Sequence, residues 1–293
     1  MNHAGFGLAH GTFGELIQGQ IGDQRFLVTC PINRYSVARF FPYNHSTIYG
    51  SRVKLKAVAA LLDLQKRLNG KGGALYLSSN IPTGKGMASS SADIVAACRA
   101  YAAAHQMVLN PATISDVATR VEPTDGVMYD QPVMYDHIHG HLLQSFDEAN
   151  YLLILGVDTG GTVDTVAFHR SVDMPYTISE QEKLLRAIQM LGRGLRTRTS
   201  TLIGEATTLS ARINQRRLLK PNLEKLIALA RTYGGLGVVS AHSGTVMGIL
   251  WDVKLSGSYR TVKAALTDVF GAVSVFTVVQ GERMDLTLPL SLI

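Results

Sequence analysis

The sequence is short of cysteine, of charge and of long apolar runs, and each shortage rules something out. Only two cysteines, Cys30 and Cys98, occur in 293 residues. Both stand among apolar neighbours and read as small core residues, so a disulfide framework is not expected and a reducing cytoplasm is the expected compartment. No uninterrupted apolar run approaches the roughly 18 residues of a membrane helix, so no membrane partner is expected. The opening MNHAGFGLAHG has neither a basic start nor an apolar core, and no signal peptide is expected. Internal repeats and low-complexity stretches are missing. Two common nucleotide signatures are missing as well. Lys85 is followed by Gly86 rather than Ser or Thr, which excludes a Walker-type loop. No strand-borne G-x-G-x-x-G carries an acidic residue at the distance a dinucleotide site requires.

What remains is 46% hydrophobic and 17% charged, enough for a full core. The length suits two domains, with a boundary expected near residue 170, giving segments 1–170 and 171–293. The net charge of +6 is uneven: residues 1–165 carry 12 basic and 13 acidic side chains, residues 166–293 carry 16 and 9. A basic surface of that kind attracts anions, nucleic acid among them. Aromatic residues for base stacking are scarce in the basic segment, so it is read as a solvated helix face and no nucleic-acid partner is expected.

Pattern gives the coarse elements. Strands are expected at 26–30, 36–41, 74–79, 151–157, 237–241, 245–251 and 272–279. Helices are expected at 54–68, with Leu55, Val58, Ala59, Leu62 and Leu68 at helical spacing, at 89–106, from Asn110 and Pro111 to about Glu122, at 222–233 with a stop at Gly234-Gly235, and at 260–270. Ser179 and Glu182 read as a capping box before Leu184, Leu185, Ile188, Leu191 and Leu195. Helices and strands in two layers make an α+β chain.

Three segments carry chemistry. Residues 81–93 read IPTGKGMASSSAD: two glycines, three serines, then an alanine-rich run. Glycine lets backbone approach a ligand, and the helix that follows begins with unpaired N–H groups and a partial positive charge, an arrangement suited to phosphate. The plain alternative is an ordinary turn with an N-cap. In VEPTDGVMYDQ, Glu122 and Asp125 lie three residues apart across a helix-breaking proline, either as metal ligand and base or as a surface turn. In GGLGVVSAHSGTVMG, a small-residue turn at Ser243-Gly244-Thr245 joins two strands, either a ligand-facing turn or a plain hairpin. His137, His139 and His141 alternate. On a strand they would share one face, a spacing that suits Zn²⁺ or Ni²⁺, or one or two would line a pocket.

In this order the three segments resemble the GHMP kinases, the family of galactokinase, homoserine kinase, mevalonate kinase and phosphomevalonate kinase, whose phosphate loop reads P-x-G-x-G-L-G-S-S-A. Pro82, Gly84, Gly86, Ser89 and Ser90 match it; Met87 stands for Leu, Ala88 for Gly and Ser91 for Ala. The third segment matches the family's S-G-x-G-P-T only loosely. Within the family, HGTFGELIQG at residues 10–19, EPTDGVMYD and AHSGTV are similar to the members that phosphorylate L-threonine for the aminopropanol arm of cobalamin.

The resemblance implies a two-domain α+β fold, with an N-terminal domain like ribosomal protein S5 and a C-terminal ferredoxin-like domain. It implies ATP and Mg²⁺ as cofactors and a small amino-acid substrate, L-threonine or a relative such as homoserine. Pro82, Gly84, Lys85, Gly86, Met87, Ala88, Ser89, Ser90 and Ser91 would cradle the ATP phosphates. Ser90 and Glu122 would hold Mg²⁺. Asp125 would act as base on the acceptor hydroxyl or as an anchor for the substrate ammonium. Thr12, Gly14, Glu15, Ser243 and Gly244 are candidate substrate contacts, with Glu15 facing the ammonium and backbone donors near Gly11–Gly14 facing the carboxylate. A decarboxylase of the same fold and a nucleic-acid-binding module are the rival readings, and the oligomeric state is open, a homodimer included.

Overall fold

The computed structural model describes residues 3–52, 54–161, 174–254 and 259–279. Among them, ten strands form one sheet in the order β10-β7-β9-β8-β1-β2-β4-β3, with β5 pairing β2 and β6 pairing β5. The strands are β1 (Gly5–Ile21), β2 (Gln24–Pro42), β3 (Ile48–Tyr49), β4 (Gly73–Ser79), β5 (Val133–Asp136), β6 (His141–Ser145), β7 (Leu152–Asp158), β8 (Gly237–Ser240), β9 (Val246–Asp252) and β10 (Val273–Thr277). Pairing is antiparallel except between β3 and β4. β7, from before residue 170, lies between β9 and β10, which come after it. No helix among the described residues is long and apolar enough to cross a membrane.

The helices are α1 (Leu55–Leu68), α2 (Ser89–Ala104), α3 (Pro111–Val121), α4 (Ile178–Thr197), α5 (Ser200–Asn214), α6 (Leu223–Tyr233) and α7 (Tyr259–Phe270). α2 packs on β1 and β2, α1 packs on α2, and α4 and α5 lie on β1. The composition of α2 explains its place. Its alanines bring the helix down onto strand backbone, and at Gly5 and Gly7 a β-carbon would collide with the main chain of Ala100 and Ala96. A second apolar cluster joins α6 and α7 to β7, β8 and β9 through Leu226, Ile227, Val238, Ile249, Trp251 and Leu266. Cys30 and Cys98 are free and fully buried, and burial pushes the Cys98 thiol up to about 12.

Two local expectations hold to the atom. The Asn110 side chain accepts the Thr113 N–H at 2.8 Å with proline next in the chain, which starts α3, and Gly234 closes α6 in the left-handed region at φ 79°. Three others are corrected. The capping box before α4 is Thr177 with Glu180, not Ser179 with Glu182: Thr177 is extended, its hydroxyl accepts the Glu180 N–H, and the Glu180 carboxylate accepts the Thr177 N–H. α1 buries Ala57, Ala60, Leu61 and Leu64, an i, i+3, i+4, i+7 stripe, which turns Leu55 and Leu62 outward. His137 and His139 lie in the turn between β5 and β6 rather than on a strand. The Asp136 carboxylate organises that turn, accepting the N–H groups of Ile138 and His139 and the Nδ1 of His139. The three histidines therefore do not share one face: His137 is buried, whereas His139 and His141 stack with ring centroids 6.3 Å apart on the exposed side, and the described residues contain no group of three or more His, Cys, Asp or Glu side chains placed to hold a metal ion.

Candidate active site

The serine-rich loop and its two partner segments meet at one cavity of about 360 Å³. β4 ends at Ser79 and delivers the chain into the loop. Gly84 and Gly86 take positive φ, and Ala88 enters the left-handed region at φ 60° to start α2. No side chain caps that helix, and the serines of its first turn, Ser89, Ser90 and Ser91, line the cavity. The loop is clamped from both sides. On one, the Thr12 N–H donates to the Met87 carbonyl at 3.1 Å and the Gly14 N–H to the Gly86 carbonyl at 3.3 Å. On the other, the N–H groups of Thr245 and Val246 donate to the Lys85 carbonyl at 3.1 and 3.4 Å.

At the mouth, Glu122 ends α3 and is buried. One of its carboxylate oxygens accepts the Ser90 hydroxyl and the other accepts the Lys56 ammonium. A hydroxyl and a buried carboxylate at an uncapped helix start form a hard-oxygen pair, the donor chemistry that suits Mg²⁺ shared with phosphate oxygens. Three residues on, Asp125 accepts the Ser91 hydroxyl at 3.2 Å, and the Asp125 N–H donates to the same Ser91 oxygen at 3.2 Å. Burial pushes the Asp125 carboxyl up to about 6. The Ser91 bond opposes that rise and the Glu122 charge adds to it.

The far wall comes from β1. Its register against β2 shifts around residues 10–17, and such bulges re-aim side chains beside active sites. Glu15, opposite Thr29 on β2 and Ser240 on β8, lines the cavity. It is buried, and its Oε2 accepts no hydrogen bond from the described residues. Burial, and after it the Asp125 charge, hold its carboxyl well above the usual carboxylate range. An unpaired buried carboxylate is costly unless a cation answers it.

Of the sequence candidates, Pro82, Gly84, Gly86, Met87, Ala88, the three serines, Glu122, Asp125, Glu15 and Ser243 line this cavity. Four do not. Lys85 places its ammonium on Asp158 at 2.6 Å and on the Gly161 carbonyl. Thr12 and Gly14 spend their N–H groups on the loop, so the expectation that backbone donors there face a carboxylate is corrected for these two. Gly244 packs behind the loop, its carbonyl accepting the ammonium of Lys220, a buried lysine that desolvation brings down to about 7. The turn at 243–245 thus serves the loop, with the Thr245 N–H on Lys85 rather than on a ligand. Lys56 and Leu27 also line the cavity and had no motif to mark them; Thr124 and His242 line it from inside segments the sequence singled out, and His137 takes the pocket-lining place that was the alternative for the alternating histidines. For His242 a signal was present, since it adjoins the Ser243 turn.

Residues 55–136 match the model of the GHMP kinases N terminal domain. The chain is 30% identical over 247 residues to the L-threonine kinase of Salmonella typhimurium, covering 82% of this chain and 81% of that one. It is 31% identical over 251 residues to the L-threonine kinase of Citrobacter freundii, covering 82% and 83%. Among solved structures, a homoserine kinase from Cytophaga hutchinsonii superposes with a TM-score of 0.74 at 16% identity over 96% of both chains, a likeness of fold.

Proposed function

We propose, from the premise that this chain belongs to the GHMP kinases, that it is an ATP-dependent L-threonine kinase, moving the γ-phosphoryl group onto the side-chain hydroxyl to give O-phospho-L-threonine. One observation carries the proposal: a single cavity holds the Ser90–Glu122 pair at an uncapped helix start and the unpaired Glu15 carboxylate on its far wall. The first suits a nucleotide's phosphates and the second an amino acid's ammonium.

Phosphoryl transfer asks for positioning and charge neutralisation more than for covalent chemistry. In this proposal the N–H groups and hydroxyls of the loop from Gly84 to Ser91 hold the ATP phosphates. Ser90 and Glu122 hold Mg²⁺, which neutralises phosphate charge when bound. Asp125, 3.2 Å from Ser91 at the foot of the loop, takes the proton of the acceptor hydroxyl. Glu15 anchors the ammonium, and Ser243 borders the substrate. Thr12, Gly14, Gly244 and Lys85 act one step back, by fixing the loop and its neighbours. In this proposal the product feeds the aminopropanol arm of cobalamin in the cytoplasm, a compartment supported by two free buried cysteines.

The test is ADP release over L-threonine, L-serine, L-homoserine, mevalonate and common sugars, with CO₂ monitored. ADP with L-threonine and no CO₂ is expected. ADP only with homoserine or mevalonate, or CO₂ matching ADP, overturns the proposal.

A further inference from the structure

Lys56 stands against the electrostatics of its own helix. It lies in the first turn of α1, where the partial positive charge of a helix start favours acidic side chains, yet that turn holds no acid and no side chain caps it. The cation is answered from outside the helix. The Lys56 ammonium donates to one oxygen of the buried Glu122 carboxylate, whose other oxygen accepts the Ser90 hydroxyl. Lys56 is half-exposed and lines the cavity together with the serines of the loop.

This pair answers a cost and creates a conflict. A buried carboxylate left without a cation is strongly destabilising, and Lys56 supplies one. The same pair occupies the carboxylate proposed for Mg²⁺. An ammonium and a divalent cation on one carboxylate repel each other at close range. Lys56 is able to leave, because a lysine ammonium is a point charge on a flexible four-carbon stem, and this one is already half in solvent. An alternative partner is at hand. Ser90 and Lys56 meet on the two oxygens of Glu122, so phosphates held at the start of α2 lie beside the ammonium.

Resting on the proposed placement of ATP and Mg²⁺, we propose that Lys56 is a stand-in cation: it neutralises Glu122 in the metal-free chain, yields that carboxylate to Mg²⁺, and turns its ammonium onto the phosphate oxygens of the bound nucleotide. The exchange keeps the buried carboxylate neutralised throughout and brings a second positive charge to the triphosphate once the first is in place.

The experiment compares wild type with Lys56→Met through two readouts that need no acceptor. The first is thermal unfolding in a series of Mg²⁺ concentrations without nucleotide. The concentration that gives half of the rise in Tm is expected to be roughly fivefold lower in Lys56→Met, because no ammonium competes for Glu122. The second is calorimetric binding of a non-hydrolysable ATP analogue in saturating Mg²⁺, where loss of a charge-assisted contact is expected to weaken the variant about tenfold. Tighter Mg²⁺ together with weaker nucleotide is the signature of the exchange. Equal Mg²⁺ midpoints in the two proteins overturn it. An unchanged nucleotide affinity in the variant also overturns it, and leaves Lys56 as a structural partner of Glu122 alone. Lys56→Gln, a smaller change at a half-exposed position, gives the same comparison should Lys56→Met not fold. A kinase that acts on another acceptor overturns the threonine reading and leaves the exchange standing, whereas a wild type whose nucleotide affinity is the same with and without Mg²⁺ overturns both the cation site and the exchange.

Discussion

Gly244 lies against Lys85 so closely that a β-carbon on Gly244 would overlap the Lys85 carbonyl oxygen. The same carbonyl accepts the N–H groups of Thr245 and Val246. Gly86 shows the reverse side of the contact: its own β-carbon would come within 2.9 Å of the Gly244 Cα. The turn after β8 and the loop before α2 are therefore one packed unit, and the glycine in each exists for the other.

Gly244→Ala must part these backbones. Overpacking of this kind costs about 1–3 kcal/mol. The expected outcome is a lower Tm and a KM for ATP raised more than the KM for threonine, read from thermal unfolding and steady-state kinetics. Equal changes in both KM values would show that the contact does not set the loop.

Ser90→Ala and Glu122→Gln separate positioning from folding. The first is expected to lower kcat at least tenfold with Tm within about 2 °C of wild type, because the hydroxyl sits at the cavity rather than in the core. The second is expected to raise the Mg²⁺ concentration for half-maximal rate at least tenfold. A Mg²⁺ titration that superposes on wild type would remove Glu122 from the cation site.

Asp125 gives a pH signature. Its carboxyl titrates near 6 in the folded chain, above its ordinary value of 3.8, because burial disfavours the charged form. Between about pH 4 and 6 the folded chain holds more protons at this group than the unfolded one, so this contribution to stability falls as pH rises through that window. As a base, Asp125 needs the ionised form, and activity should fall below about pH 6. Asp125→Asn is expected to lose roughly 100- to 10,000-fold in kcat and to flatten the stability change across pH 4–6. A variant that raises KM for threonine with kcat intact would make Asp125 an anchor instead.

Glu15→Gln should show function opposing stability. The raised carboxyl titration means the charged form is disfavoured in the fold, so stability is lost as pH climbs above the unfolded value near 4.5. Glutamine removes that penalty. The variant is expected to melt higher than wild type at pH 7 and to lose the Tm increase that threonine gives wild type. A lower Tm would mean the carboxylate has a structural partner.

The loop, α2 and the helix stops were legible because their signals are local: glycines before serines, Asn110-Pro111, and Gly234 at a left-handed position. β1 was not. Glycines at 5, 7, 11, 14 and 19 break any alternation, and helices or loops cover much of the strand, which erases the polar face that alternation needs. α5 was missed for a similar reason. Ser, Thr and Gly204 make it a weak helix former, yet Gly204 is there so that the helix can touch the Leu236 carbonyl. At the site, the residue types of Glu122 and Asp125 pointed to chemistry. Their meeting with Ser90 and Ser91 depends on how α3 ends against α2, a tertiary fact. Lys56, His137 and His242 come from three distant segments, and no spacing rule joins them.

Everything proposed for this chain requires the start of α2 to hold a nucleotide's phosphates. A crystal of the protein with a non-hydrolysable ATP analogue and Mg²⁺ tests it directly. The expected result is β- and γ-phosphate oxygens on the N–H groups of Ser89–Ser91, with the cation between Ser90 Oγ and the Glu122 carboxylate. A triphosphate bound anywhere else on the chain would contradict it.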